Sequence, residues 1–350
     1  MNEPNLLPWK ILIVDDDEDT HDVTEMALRR LIYENRPLMI LHAFSALEAK
    51  LRLIDHPDIA IALLDVVMEN DTAGLDLVRT IRDDMKNENI RLILRTGNPG
   101  KAPEESVTLT YDINDYRGKT ELTAQSLRTA IITALRSYQA VVTIKDLHRE
   151  IDDTQKELIY TLGEIAESRS LETGHHVKRV SMISAFLAEK LKLPEHQVNL
   201  IGLAASMHDL GKLAIDDRIL NKPGKLTPEE FEVVKKHSAL GYEILKNSQR
   251  ELLQLAAVIA YEHHENFDGS GYPRGLKGDE ICLESQIVAL VDVYDALSIK
   301  RVYKESWPKE EILEYLKSQS GIKFDPEILN VFFDNLEEIE EAISRNGLWN

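Results

Sequence analysis

Ile11-Leu12-Ile13-Val14, followed at once by Asp15-Asp16-Asp17, decides the fold of the first third of this 350-residue chain. Four consecutive apolar residues make a short strand of the kind buried on both faces of a parallel sheet. Outward from it, helices and strands alternate. A helix with apolar residues Val23, Met26, Ala27 and Leu31 comes next, then a strand over residues 39–43 and a helix over 46–53. Residues 59–64 read as a third strand ending at Asp65, and residues 91–95 as a fourth ending at Thr96. A fifth segment is expected to start around residues 107–109, with Tyr116 and Lys119 near the end of the unit. The alternation implies an α/β domain with a doubly wound parallel sheet, whose ligands gather at the carboxyl ends of the strands.

That rule brings Asp15, Asp16, Asp65, Thr96 and Lys119 together. Three carboxylates at one sheet edge repel unless a hard cation joins them, and magnesium with oxygen ligands suits the set. A lysine and a hydroxyl beside them suit a phosphoryl group carried on one carboxylate. The constellation resembles a response-regulator receiver domain over roughly residues 8–138. The resemblance implies Asp65 as phospho-acceptor, and Asp15, Asp16 and Asp65 around magnesium. It also implies Thr96 and Tyr116 as switch residues, Lys119 as phosphate contact, and a cognate histidine kinase as partner. The chain departs from the family at Glu69, after Met68, and at Thr120, after Lys119, where receivers usually have proline.

A proline-free helical stretch runs from about residue 122 to 167. Within it Ile144, Leu147, Ile151, Thr154, Leu158, Thr161 and Ile165 alternate spacings of three and four, a seam of about three heptads. It reads as a parallel dimeric coiled coil that makes a homodimer, or alternatively as a helix lying on its own globular domain. The division expected is a receiver domain over 1–138, a connecting helix over 139–165 and a second domain over 166–350.

The second half is organised around His263-His264-Glu265-Asn266-Phe267-Asp268-Gly269-Ser270-Gly271-Tyr272-Pro273. Adjacent histidines with nearby carboxylates supply metal ligands, and the glycines allow a tight loop. A lone His-His pair usually lies on a surface. Here it is joined by Glu172, His175, His176, His208-Asp209, His237, Asp292 and Asp295, with almost no thiol. Apolar spacing is helical almost throughout, so an all-α container is expected. His208-Asp209 is expected on one helix, with Lys212 on the same face, and His176 shares a helical face with Glu172 while His175 points elsewhere. His21, His42, His56, His148 and His196 read as surface or satisfied core residues.

These motifs, with Ile219–Thr227, Asp292–Leu297 and Phe324-Asp325-Pro326, resemble the HD-GYP family of phosphohydrolases over about residues 160–335. The resemblance implies hydrolysis of cyclic di-GMP to pGpG or GMP. It implies metal ligands Glu172, His176, His208, Asp209, His237, His263, His264 and Asp292, which would hold two or three ions of iron, manganese or zinc. His208, Asp209 and Lys212 would be catalytic, and Lys212, Tyr272, Arg301 and Lys304 would contact substrate phosphates. Val302 stands where the family often has proline. Two metals about 3.5–4 Å apart can bridge a hydroxide that attacks phosphorus in line. Alternatives are a cyclic-dinucleotide sensor, a module docking a partner such as a diguanylate cyclase, and a hydrolase of another cyclic dinucleotide.

Bulk properties agree. The formal charge of −20 argues against long nucleic acids and anionic membranes as partners. The single Cys282 excludes an intramolecular disulfide and fits a reducing compartment, so a cytoplasmic setting is expected. Met1–Lys10 lacks the basic and apolar regions of a signal peptide, and no apolar run reaches the length of a membrane span.

Overall fold

A computed structural model describes residues 7–96, 113–118, 123–169, 174–299 and 307–348. The chain divides into two compact units, Met1–Glu150 and Ile151–Asn350. Among the described residues no helix is long and apolar enough to cross a membrane.

In the first unit β1 (Trp9–Val14), α1 (Glu18–Leu28), β2 (Ile32–Tyr33), β3 (Arg36–Ala43), α2 (Ala46–Asp55), β4 (Ile59–Asp65), α3 (Ala73–Arg79), β5 (Arg91–Thr96) and β6 (Asp115–Gly118) occur in that order. The sheet order is β2-β3-β1-β4-β5-β6, parallel throughout except for the β2–β3 hairpin. β4 and β5 are buried at every residue; β4 is apolar up to Asp65, as a strand covered on both faces requires, whereas β5 flanks Leu92-Ile93-Leu94 with buried Arg91, Arg95 and Thr96. Two apolar layers cover the sheet, one around Leu12, Leu64, Leu77 and Leu94, the other around Ile11, Leu63, Ile93 and Ile131.

Two expectations change here and a third goes untested. The strand expected at residues 39–43 begins at Arg36 and is preceded by β2, through a turn in which Glu34 and Asn35 adopt positive φ of 50° and 58°. On α1, Val23 and Met26 are 68% and 75% exposed, whereas His21, Thr24 and Leu28 are buried. Of the four apolar residues expected to face the core, Ala27 and Leu31 pack against it and Val23 and Met26 do not. The segment around residues 107–109 lies outside the described residues, and the fifth parallel strand is β6, carrying buried Tyr116.

α4 (Ala124–Ser168) is one helix of 45 residues. Its first turns bury Leu127, Ala130, Ile131, Ala134 and Leu135 against the sheet. The 3–4 seam is a different face: Ile144, Leu147, Ile151, Leu158 and Ile165 are all about half exposed or more. In its last turns the helix buries Gly163, Ala166 and Glu167 instead.

The second unit is helical: α5 (Gly174–Lys190), α6 (Glu195–Ala205), α7 (Asp217–Leu220), α8 (Pro228–Leu245), α9 (Glu251–Glu262), α10 (Leu283–Ser298), α11 (Lys309–Ser318), α12 (Pro326–Asp334) and α13 (Leu336–Arg345). α8 starts with a capping box, Thr227 Oγ1 accepting from Glu230 N while Glu230 accepts from Thr227 N. The core joins Val180, Ile183, Ile201, Ile259, Val288, Val291 and Phe332.

Candidate metal centre and receiver pocket

His208 and Asp209 lie in the turn between α6 and a short 3-10 segment, Leu210–Ala214, and not on one helix as expected. The helix ends at Ala205 and the chain tightens into the turn, where the two neighbouring side chains meet, His208 Nε2 lying 3.1 Å from Asp209 Oδ2. Lys212 lies on the 3-10 segment three residues after Asp209, with Nζ 2.6 Å from Asp209 Oδ2. Gly163 of α4 presses against this turn, because a Cβ there would overlap the Ser206 carbonyl oxygen.

Four histidines are oriented in the same manner. His208 Nδ1 lies 2.8 Å from Ala205 O, His237 Nδ1 2.7 Å from Val234 O, and His263 Nδ1 3.0 Å from Ile259 O. A carbonyl oxygen only accepts, so each Nδ1 carries the proton and each Nε2 faces the interior as a potential donor of electrons. His176 does the same with a carboxylate: its Nδ1 is 2.7 Å from Asp295 Oδ2. Asp295 is itself clamped by Arg179, at 2.5 Å from Nε to Oδ1 and 3.0 Å from Nη2 to Oδ2.

The inward atoms fall into two groups. Asp209, His237, His263 and His264 offer ligand atoms all within 4.8 Å of one another, and so do Glu167, His176 and His208. Asp209 spans them. Its Oδ1 is 3.1 Å from His237 Nε2 and 3.8 Å from His263 Nε2, and its Oδ2 is 3.1 Å from His208 Nε2. Asp292 Oδ1 lies 3.7 Å from His176 Nε2 and 3.9 Å from His208 Nε2.

Electrostatics favour a cation here. Burial pushes His263 down to about 3 and His264 well below its ordinary value, so both rings are neutral at pH 7. Burial opposes ionisation of Asp209, but Lys212 and His208 outweigh it and hold the carboxyl well below the usual carboxylate range. Burial likewise opposes a charge on His208, yet Asp209 and Asp292 raise it to about 10. A proton is thus held where an ion would be. His237 Nε2 and His263 Nε2 approach to 3.4 Å, and among the described residues His208 Nε2 and Asp209 Oδ1 are buried without a well-directed hydrogen bond. Imidazole and carboxylate in this proportion fit divalent transition metals.

The loop after His264 is folded around Glu265, which is 2% exposed and accepts from Arg274 N at 2.7 Å and Leu276 N at 3.0 Å. Gly271 is required because a Cβ would run into the Glu265 and Asn266 backbone. The loop returns Tyr272 to within 4.8 Å of the His264 ring, and burial with Asp209 and Asp292 raises its phenol above the ordinary value. Tyr272 is therefore a protonated donor beside the metal ligands.

In the first unit Asp15, Asp16 and Asp65 offer carboxylate oxygens within 4.8 Å of one another, and Asp15 and Asp65 are buried. An all-oxygen set at strand ends fits magnesium. Thr96 ends β5 alongside, also buried.

Residues 161–328 match the HD domain family. Three curated relatives extend over nearly the whole chain. The 3'3'-cGAMP-specific phosphodiesterase 2 of Vibrio cholerae is 33% identical, covering 95% of this chain and 92% of its own. The cyclic di-GMP phosphodiesterase response regulator RpfG of Xanthomonas campestris pv. campestris is 34% identical, covering 96% and 90%. A cyclic di-GMP phosphodiesterase of Thermotoga maritima is 33% identical, covering 96% and 92%. The chain belongs to the receiver–HD-GYP family.

Within this receiver–HD-GYP protein His176, His208, Asp209, His237, His263, His264 and Asp292 converge, as do Asp15, Asp16 and Asp65. Glu172, Arg301, Lys304 and Lys119 lie outside the described residues. Lys212, expected on substrate phosphate, is engaged by Asp209 and by Glu167 Oε1 at 3.2 Å. The sequence reading missed Glu167 altogether and gave Asp295 no role. Glu167 lies nine residues before His176, beyond any single helical face, so no spacing rule pointed to it. Asp295 is three residues after Asp292, a spacing that left both carboxylates open as ligands.

Proposed function

We propose that this protein is a response regulator whose helical domain hydrolyses cyclic di-GMP to pGpG or GMP, under control of phosphorylation at Asp65. The observation that carries the hydrolytic reading is Asp209, whose two oxygens face separate histidine groups. Asp209, His237, His263 and His264 would hold one divalent ion of iron, manganese or zinc. His176, His208 and Asp292 would hold a second, with Glu172 as ligand for a third. When bound, the metals supply an activated water and neutralise charge on the phosphate oxygens. Lys212 keeps Asp209 ionised and, with Arg301 and Lys304, contacts the substrate phosphates. Tyr272 donates a hydrogen bond to a phosphate oxygen, and Asp295 orients His176.

The functional division runs over 1–138, 139–165 and 166–350, with magnesium at Asp15, Asp16 and Asp65, and with Thr96, Tyr116 and Lys119 reading the phosphoryl group delivered by a histidine kinase. The exposed seam from Ile144 to Ile165 fits a homodimer. A cytoplasmic setting suits a soluble nucleotide substrate. A second reading, hydrolysis of 3'3'-cGAMP, is favoured by the likeness to the Vibrio cholerae relative. Incubating metal-loaded protein with each cyclic dinucleotide in turn and separating the products tests both. Turnover of neither would leave a sensor or docking module.

A further inference from the structure

The receiver pocket contains a charge that its acidic triad does not call for. Arg95, the residue before Thr96 on β5, is 3% exposed and points to the α1 side of the sheet. Its Nη2 lies 3.5 Å from Asp15 Oδ2, and its Nη1 donates to Thr24 Oγ1 of α1 at 2.8 Å. Nε is buried with no hydrogen-bond partner among the described residues. The other oxygen of Asp15, Oδ1, accepts from Asp17 N at 3.2 Å.

We infer that Arg95 is a built-in counter-cation of the Asp15–Asp65 pocket, which holds the carboxylates together before a divalent ion arrives and weakens that ion's binding. This rests on the receiver reading of Asp15, Asp16 and Asp65. A guanidinium stays charged at any accessible pH and satisfies carboxylate oxygens from a fixed plane. It therefore offsets the repulsion between Asp15 and Asp65 that magnesium would otherwise have to relieve. Burial works against the charge while Asp15 and Asp65 support it, in that order of size. When magnesium binds, the same positive charge repels it and competes for Asp15 Oδ2. A cavity of about 490 Å³, lined in part by Arg95, Thr24, Met26 and Leu127, opens beside the guanidinium and gives it room to withdraw. Arg95 is a positioning residue here, acting on the ion through Asp15.

The test is magnesium titration of the full chain by calorimetry, with Asp65→Asn as the baseline that isolates the receiver site from the metal centre. Arg95→Met should bind magnesium at least about tenfold more tightly than the natural chain. It should also lose thermal stability in chelator and regain it in magnesium. Arg95→Lys, which keeps the charge, should stay near the natural affinity. An affinity in Arg95→Met equal to or weaker than natural overturns the inference. Should Arg95→Met not fold even in magnesium, the same comparison is made with Thr24→Val, which releases Nη1 from α1. Magnesium affinity changed by less than twofold there overturns it equally. Absence of any Asp65-dependent magnesium heat in both the natural chain and Arg95→Met would remove the receiver reading itself, and the inference with it.

Discussion

Asp209→Ala is the sharpest perturbation of the metal centre. Its side chain is 9% exposed and its oxygens lie 2.6 Å from Lys212 Nζ and 3.1 Å from both His208 Nε2 and His237 Nε2. Loss of even an outer-shell partner commonly lowers metal affinity by about 10–100-fold. A carboxylate shared by both histidine groups should therefore cost more than about 100-fold, or roughly 2.7 kcal/mol. The metal-free protein should suffer as well. Removing one partner of a buried ion pair leaves the other uncompensated, typically at about 3–5 kcal/mol, and Lys212 is only 12% exposed. Elemental analysis after dialysis against a weak chelator reads the first effect and urea unfolding the second, while product separation reads activity. Asp209→Asn, which keeps the shape, should lose metal with less loss of stability. Hydrolysis at the natural rate with normal metal content in Asp209→Ala would refute the site.

Glu172→Ala should lower the metal-to-protein ratio by up to one ion, with a smaller loss of activity than Asp209→Ala; an unchanged ratio would favour two metals. Gly271→Ala should push Tyr272 away from His264, cutting kcat/KM by at least about tenfold while metal content is retained; an unaltered kcat/KM would remove Tyr272 from the site. In the metal-free protein His208 has its pKa raised from 6.5 to about 10. Its contribution to stability is present in full below pH 6.5 and is lost as pH rises through 10. The thermal midpoint should fall across that window in the metal-free natural chain, and Asp209→Asn should flatten the fall; parallel profiles would contradict the pairing. Beryllofluoride with magnesium should change hydrolysis rate or dimer affinity by at least a few-fold, about 1 kcal/mol of coupling. Modification at Asp65 with neither quantity altered would separate the receiver from the output.

Much of this was legible in the sequence where a rule has one reading. Buried parallel strands such as β4 are apolar end to end, and the residues at their carboxyl ends lie at the ligand-binding edge. The receiver triad was found that way. Periodicity was less reliable where two faces of one helix competed. Around α1 the spacing of Val23, Met26, Ala27 and Leu31 suggested a core face, yet only Ala27 and Leu31 pack inward, while Val23 and Met26 are exposed and His21 and Thr24 are inside. Adjacent residues were harder still. His208-Asp209 reads the same on a helix or in a turn, and the histidines that face the other oxygen of Asp209, His237 and His263, come from distant parts of the chain. Glu167 and Asp295 stayed hidden because their partners, Lys212 and Arg179, are brought to them by tertiary packing.

The end of α4 is both a fastening and a tool. At Gly163 its backbone is pressed against the carbonyl of Ser206, two residues before His208, and one turn later Glu167 reaches Lys212. A rod joined to its load at two points cannot turn without moving it. Rotation of the helix by even a small angle would carry Glu167 sideways and lever the Ser206–Asp209 turn through Gly163. A bulky residue at position 163 would act as a wedge in that joint. The turn that carries His208 and Asp209 is therefore bolted to the last turns of the helix, and a change at either joint is felt at the ligands.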